Sequence, residues 1–275
     1  MNLTLIQKFG FAEVVGPAVV GQRKFGVPVG GAFDIESHVL ANGLVGVETG
    51  APVWELGMAQ ARFKCEMPGS VSVIGALAKV LKSDWEWDSN SVFGVASGEE
   101  FVVQAPSTGA RVYVAWSPML RLDASPRRLM EAPMSVTDRN HLRIVPGPQS
   151  ELFDLGLLKR GFTVSRTGNR VGVRLDESIG AHKIDLPSEP QCVGAIQVSN
   201  DGTPIIIGPD GPTIGGYPKI GVVITSDLSR LGQLRPGESV AFEAVSLEQA
   251  RDINIEACKA FDKRLNLLRL SLGSF

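Results

Sequence analysis

The chain has 275 residues, 44% of them apolar and 20% charged, with a formal net charge of −2. That length supports one large or two medium domains with a sizeable core, and the charge balance argues against a nucleic-acid binder, which carries a basic stripe. No run of 18 uncharged apolar residues is present to span a membrane.

In chain order, the opening Met1-Asn2-Leu3-Thr4-Leu5-Ile6 lacks the basic n-region and long apolar core of a signal peptide. Cys65, Cys192 and Cys258 are far apart and suit a reducing, cytoplasmic setting. A first helix is predicted to begin after Asp34, an N-cap with Glu36 in its first turn, and to stop at Gly46. Ile35, Val39, Leu40, Gly43 and Leu44 would form its buried face. Short apolar runs then dominate. Strands are predicted over 71–74, 101–104, 111–115, 141–145, 162–165, 194–198, 204–207, 220–225 and 239–245, several directly after a turn signal such as Arg235-Pro236-Gly237. Repeated turn-then-strand units indicate a mainly β barrel or sandwich. Residues 121–145 read as an irregular, proline-interrupted connection between an N-terminal β-rich unit (1–120) and a C-terminal unit (146–275), and Arg121, Arg127 and Arg128 cluster around it. Asp227 is an N-cap candidate for one short turn carrying Leu228 and Leu231, which Gly232 can stop. An amphipathic helix closes the chain over 247–270, with Leu247, Ala250, Ile253, Ala257, Phe261, Leu265 and Leu268 at helical spacing.

One stretch concentrates chemistry: Asp210-Gly211-Pro212-Thr213-Ile214-Gly215-Gly216-Tyr217-Pro218, leading into Ile220-Gly221-Val222-Val223-Ile224. A carboxylate, a hydroxyl, two adjacent glycines and a phenol are pinned between prolines ahead of an apolar strand. Adjacent glycines permit positive φ and close approach of a ligand to the main chain. Other chemistries lack their residues. There is no Gly-x-x-x-x-Gly-Lys-Ser/Thr phosphate loop and no Gly-x-Ser-x-Gly elbow, and His38, His141 and His182 are isolated, so no metal site is expected. No biotin-attachment lysine is apparent.

Together with Asp227-Leu228, Gln233 and Pro236-Gly237, that stretch resembles the C-terminal signature of the family of allophanate hydrolase subunit 2, which includes the C-type subunit of 5-oxoprolinase and the carboxyltransferase region of urea carboxylase. Further segments are similar in the same order: Gly26-Val27-Pro28-Val29-Gly30-Gly31-Ala32-Phe33-Asp34, Ala41-Asn42-Gly43-Leu44-Val45-Gly46, Leu56 with Glu55, Arg170-Val171-Gly172-Val173-Arg174-Leu175, and Gly194-Ala195-Ile196-Gln197-Val198. The chain departs where the family carries Gln-Asp-x-Gly-Arg, here Val15-Gly16-Pro17-Ala18-Val19, and where Pro212 replaces a usual Gln. It reads as a divergent, shortened member.

The resemblance implies a cyclophilin-like β-barrel and an enzyme subunit acting on an amide, lactam or ureido group. It also implies a companion resembling allophanate hydrolase subunit 1 or the B-type subunit of 5-oxoprolinase, through which ATP or carboxybiotin would be supplied. Such chemistry needs a planar C–N unit held while charge grows on its oxygen. Gly215 and Gly216 can offer backbone N–H groups, Tyr217 a phenolic proton, and Asp210 can orient the loop or accept a proton, with Thr213 beside them. Arg170 and Arg174, four apart on a strand, can grip a substrate carboxylate or form surface ion pairs. Gln233 is placed with the ligand contacts, while Asn42 and Gln197 can be ligand contacts or buried structural hydrogen-bonders. Asp34 and Asp227 are assigned to capping. A non-catalytic regulatory subunit and a carboxyltransferase component of a biotin-dependent enzyme are the alternatives.

Overall fold

A computed structural model describes residues 2–118, 122–123, 125–129, 133–154, 156, 160–180 and 186–272. Arg121 and His182 lie outside them. The fold is mainly β and barrel-like, and the chain ends in a long helix. Its residues divide into two compact units that interleave along the chain. One holds 1–17, 34–137 and 260–275; the other holds 18–33 and 138–259.

The first unit is a nine-stranded antiparallel sheet. Its strands are β1 (Leu3–Val15), β2 (Val53–Cys65), β3 (Gly69–Leu77), β4 (Lys79–Lys82), β5 (Trp85–Asp88), β6 (Ser91–Val95), β7 (Glu100–Val103), β8 (Thr108–Ser117) and β9 (Arg127–Arg128). They run in the order β5-β4-β7-β2-β8-β3-β6-β9, and β1 pairs with β2. Helix α1 (Ile35–Leu44) packs on β3 and β8, so β3 is buried along almost its whole length, its serines included; Ser72 Oγ donates to the Ala41 carbonyl of α1 at 2.6 Å. Phe63, Phe93, Phe101, Val73 and Val112 are among the side chains that fill the core. The α1 face differs from expectation at its start, where Ile35 is 51% exposed. Ile35 points outward, while Ser37 and His38 of the same turn are buried. The segment 121–145 is also more ordered than a plain connection: it carries β9, a four-residue helix α2 (Met134–Thr137) and the first strand of the second unit.

The second unit contains β10 (His141–Pro146), β11 (Phe162–Thr163), β12 (Gly172–Arg174), β13 (Glu189–Pro190), β14 (Ala195–Val198), β15 (Pro204–Ile207), β16 (Ile214–Gly215), β17 (Lys219–Val223), helix α3 (Leu228–Gln233) and β18 (Ser239–Ala244). Seven strands follow the order β11-β18-β10-β17-β14-β15-β12. A bridge from Val164 to Leu175, supported by Ser165 N–H to the Arg174 carbonyl at 2.8 Å and Asp176 N–H to the Thr163 carbonyl at 2.9 Å, joins the two ends of that order. The sheet therefore curls round on itself, leaving few unpaired edges. Ile144, Phe162, Ile196, Ile206, Ile220 and Val240 fill the inside. β13 and β16 form a separate two-stranded ladder. Helix α4 (Leu247–Leu272) buries Ala250 and Leu265, whereas Leu247, expected on its apolar face, is 55% exposed.

The turn between β14 and β15 supplies a pH test. Ser199 Oγ, Thr203 Oγ1 and the Thr203 N–H all reach Asp201 Oδ1, at 2.5, 2.7 and 3.1 Å. These hydrogen bonds hold its carboxyl down to about 2, from an ordinary 3.8. A depressed carboxyl stabilises the fold above its unfolded value and loses that contribution as pH falls towards 2. The melting-temperature gap between the native chain and Asp201→Asn is therefore expected to narrow from pH 4 to pH 2. A gap of constant size over that range would remove the assignment.

Candidate functional site

The glycine-rich stretch enters the second unit as strand, not as an open loop. Ile214 and Gly215 pair with Pro190 and Glu189 in the small ladder, and Gln191 N–H donates to the Thr213 carbonyl at 2.9 Å. Neither Gly215 nor Gly216 takes a positive φ. What Gly215 supplies is space: a Cβ there would lie 3.0 Å from Gln197 Nε2 and 3.1 Å from Gln191 Nε2. Gly216 follows the ladder, and a Cβ on it would meet the Leu186 carbonyl at 3.2 Å. Tyr217 comes next and is 40% exposed.

Two buried glutamines frame this strand. Gln191 Nε2 donates to the Gly215 carbonyl at 3.2 Å, and Gln197 Nε2 reaches the Tyr217 carbonyl at 3.4 Å. Gln197 stands on β14 directly opposite Lys219 of β17, which places both on one face of the barrel wall. Lys219 Nζ forms an ion pair with Glu189 at 2.5 Å and touches the Pro190 carbonyl at 3.4 Å, while its backbone N–H donates to Gln149 Oε1 at 2.9 Å. From the other side Arg23 donates to the carbonyls of Gln191, at 2.5 Å, and of Pro212, at 3.3 Å. The outcome is a short strand held at its main chain by cations and amides, with Tyr217 as the exposed hydroxyl.

Asp210 is placed differently from a free base. Its carboxylate accepts two bonds from Arg170, Nε to Oδ2 at 2.7 Å and Nη2 to Oδ1 at 3.0 Å, and the same guanidinium reaches the Gly31 carbonyl at 2.7 Å. This fork ties the loop before Thr213 to the segment before β12. Arg170 precedes β12 and turns to Asp210, whereas Arg174 lies on β12 with an exposed side chain, so the two do not act as a pair on one strand. Gln233 is fully buried at the end of α3. Asn42 belongs to the first unit, where its amide donates to the Thr49 and Ala51 carbonyls at 3.2 and 2.7 Å; it is a structural hydrogen-bonder.

The two capping aspartates separate. Asp34 caps α1: its Oδ1 accepts the Ser37 N–H at 3.0 Å, and its Oδ2 accepts the Ser37 and Ser135 hydroxyls at 2.6 and 2.8 Å. Asp227 occupies the residue before α3 but makes no cap hydrogen bond. Its carboxylate takes Arg143 Nε at 2.9 Å, Arg143 Nη2 at 2.5 Å and the Arg143 N–H at 2.8 Å. Gly232 lies within α3, which runs one residue past it.

Sequence reasoning had no means of finding Gln191, Glu189 or Arg23, because the ladder pairs residues about two dozen positions apart and Arg23 reaches Gln191 across 168 positions. Lys219 was legible in principle, two residues beyond Tyr217. Among the described residues no helix is long and apolar enough to cross a membrane.

Comparison with known proteins gives a consistent answer. The family pattern described as "Carboxyltransferase domain, subdomain A and B" matches residues 25–125 and 118–244. The C-type subunit of 5-oxoprolinase from Escherichia coli is 27% identical over 269 residues, covering 84% of this chain and 87% of that protein. The urea amidolyase of Lachancea kluyveri is 24% identical over 303 residues, covering 86% of this chain but 16% of that protein. The solved Kluyveromyces lactis urea amidolyase superposes with a TM-score of 0.80 at 21% identity over 95% of this chain and 20% of its own, a likeness of fold. Of a further solved relative at 25% identity, the chain covers 56%.

Proposed function

Since the chain belongs to the family of carboxyltransferase domains with subdomains A and B, we propose that it is the C-type subunit of a 5-oxoprolinase-like enzyme. In this reading it acts with a companion subunit on a lactam or ureido group. The likeness to the 5-oxoprolinase component from Escherichia coli, along most of both chains, supports this. The observation that carries it is the convergence of two buried glutamine amides on the main chain at Gly215, beside the exposed Tyr217.

An amide or ureido group presents N–H and C=O side by side, and side-chain amides meet both with matching donors and acceptors. Fixed donors also lower the barrier when charge builds on the carbonyl oxygen, because they need no reorganisation. Gln197 Nε2 and the main chain around Gly216 supply donors, and the Tyr217 hydroxyl stands ready to give a proton to the departing nitrogen. Asp210, gripped by Arg170, fixes the loop and takes no proton in this scheme. ATP, or carboxyl carried on biotin, comes through the companion. Carboxyl transfer to a ureido nitrogen is the second reading, favoured by the family's own description.

The test is 5-oxoproline-dependent ATP hydrolysis by the chain together with its companion subunit. Turnover should exceed that of the companion alone, and the Gly215→Ala chain should lose it at least tenfold. The new methyl would press on both glutamine amides, which must give by a few tenths of an ångström, while folding changes little. Absence of turnover above the companion alone would end this reading.

A further inference from the structure

Among the described residues Gln191 Oε1 is one of four buried side-chain atoms without a hydrogen-bond partner, with Trp54 Nε1, Trp116 Nε1 and Ser226 Oγ, and of these it stands at the ladder. The Gln191 backbone is fixed at both ends, N–H to the Thr213 carbonyl at 2.9 Å and carbonyl from Arg23 at 2.5 Å. The residue is 4% exposed. Its Nε2 is used on the Gly215 carbonyl, but Oε1 is buried and has no hydrogen-bond partner. Turning the amide over would set oxygen against the Gly215 carbonyl oxygen, so Gly215 dictates which end faces away from it. Buried carbonyl oxygens are almost always satisfied, and one that is not calls for a reason.

We propose that Gln191 Oε1 is the acceptor for an N–H of a neutral, cis-amide substrate, and that it sets the selectivity of the site for lactams and ureido compounds over oxygen analogues. This rests on the amide-acting reading given above. Gln197 brings a second buried amide to the same strand. Its Nε2 carries two N–H groups, and its bond to the Tyr217 carbonyl, at 3.4 Å, is at the long limit. The two Nε2 atoms approach the same point at Gly215. Gln191 thus keeps an unused acceptor turned away from the ladder, and Gln197 a donor with a second N–H beyond its long bond to Tyr217. A lactone or a carboxylate would bring a lone pair against Oε1 in place of a hydrogen. Sites that hydrogen-bond a substrate N–H reject analogues lacking it strongly, because their own buried group is then left unpaired.

The experiment titrates the full, nitrogen-15-labelled chain with 2-pyrrolidinone and with γ-butyrolactone, reading the glutamine side-chain amide signals. The Gln191 signal, identified by its loss in Gln191→Met, should shift with the lactam and respond to the lactone at least ~10-fold more weakly. In Gln191→Met, which keeps the volume and removes the acceptor, the preference for lactam should vanish. Equal binding of lactam and lactone by the native chain would overturn the inference and leave the amide-acting reading standing. Binding of neither would also overturn it, and ATP hydrolysis with the companion would then judge the broader reading separately. If Gln191→Met does not fold, as judged by circular dichroism, the native lactam-to-lactone ratio decides alone.

Discussion

Replacing Asp227 with Ser should destabilise the chain by about 3 kcal/mol, although Ser is as good an N-cap as Asp. The two roles open to Asp227 predict different magnitudes. As a cap, exchange for another capping residue costs at most a few tenths of a kcal/mol. As the partner of Arg143, the carboxylate is 0% exposed, accepts three bonds from one residue, and lies 3.7 Å from Arg230 Nε. Removing one partner of a buried pair leaves a charge without its counter-charge and costs about 3–5 kcal/mol. The lower end applies because the Arg143 side chain is 22% exposed and Arg230 keeps Asp138 at 2.8 Å. Urea unfolding at unchanged m-value is the measurement. A loss under about 0.5 kcal/mol in Asp227→Ser would restore the cap.

A second large effect is expected at Glu55, on β2 of the first unit. Glu55 and Tyr113 are both 0% exposed. The Tyr113 hydroxyl donates to Glu55 Oε2 at 2.8 Å and accepts the Asp34 N–H at 2.8 Å, while Arg111 Nε stands 3.3 Å from Glu55 Oε1. Burial first, and the Glu55 charge second, push the phenol well above its ordinary range, so it remains a donor. The network continues through Asp34 into the cap of α1 and to Ser135. Glu55→Leu strips the acceptor from Tyr113 and the counter-charge from Arg111, and a loss of about 3–5 kcal/mol follows. The triple change Glu55→Leu, Arg111→Met, Tyr113→Phe should recover most of it, since well-packed apolar groups replace buried polar ones at small cost. A single variant as stable as the native chain would show that the network contributes nothing net.

The β character was legible because the predicted runs are short and apolar, several of them directly after turn residues, and each falls on a strand. The two longest strands were missed for identifiable reasons. β1 carries register shifts between Leu5 and Gln7 and between Phe9 and Phe11, which break its period of two. β2 carries Glu55 at a buried position and Gly57 in its middle, so its inward face does not read as apolar. The cap at Asp34 was legible because its partner is three residues away; the role of Asp227 was not, because Arg143 lies 84 positions upstream. Local chemistry is readable from local sequence, whereas a glutamine such as Gln191 acquires meaning only when a two-residue ladder sets it beside Gly215.

That ladder also bears on how the protein can diversify. β13 and β16 pair only with each other, apart from the wall that holds the second unit together. On the binding reading proposed above, exchanges along them would alter which guest is accepted without unsettling the scaffold, so descendants of one ancestor could drift between neighbouring chemistries while their architecture stays constant.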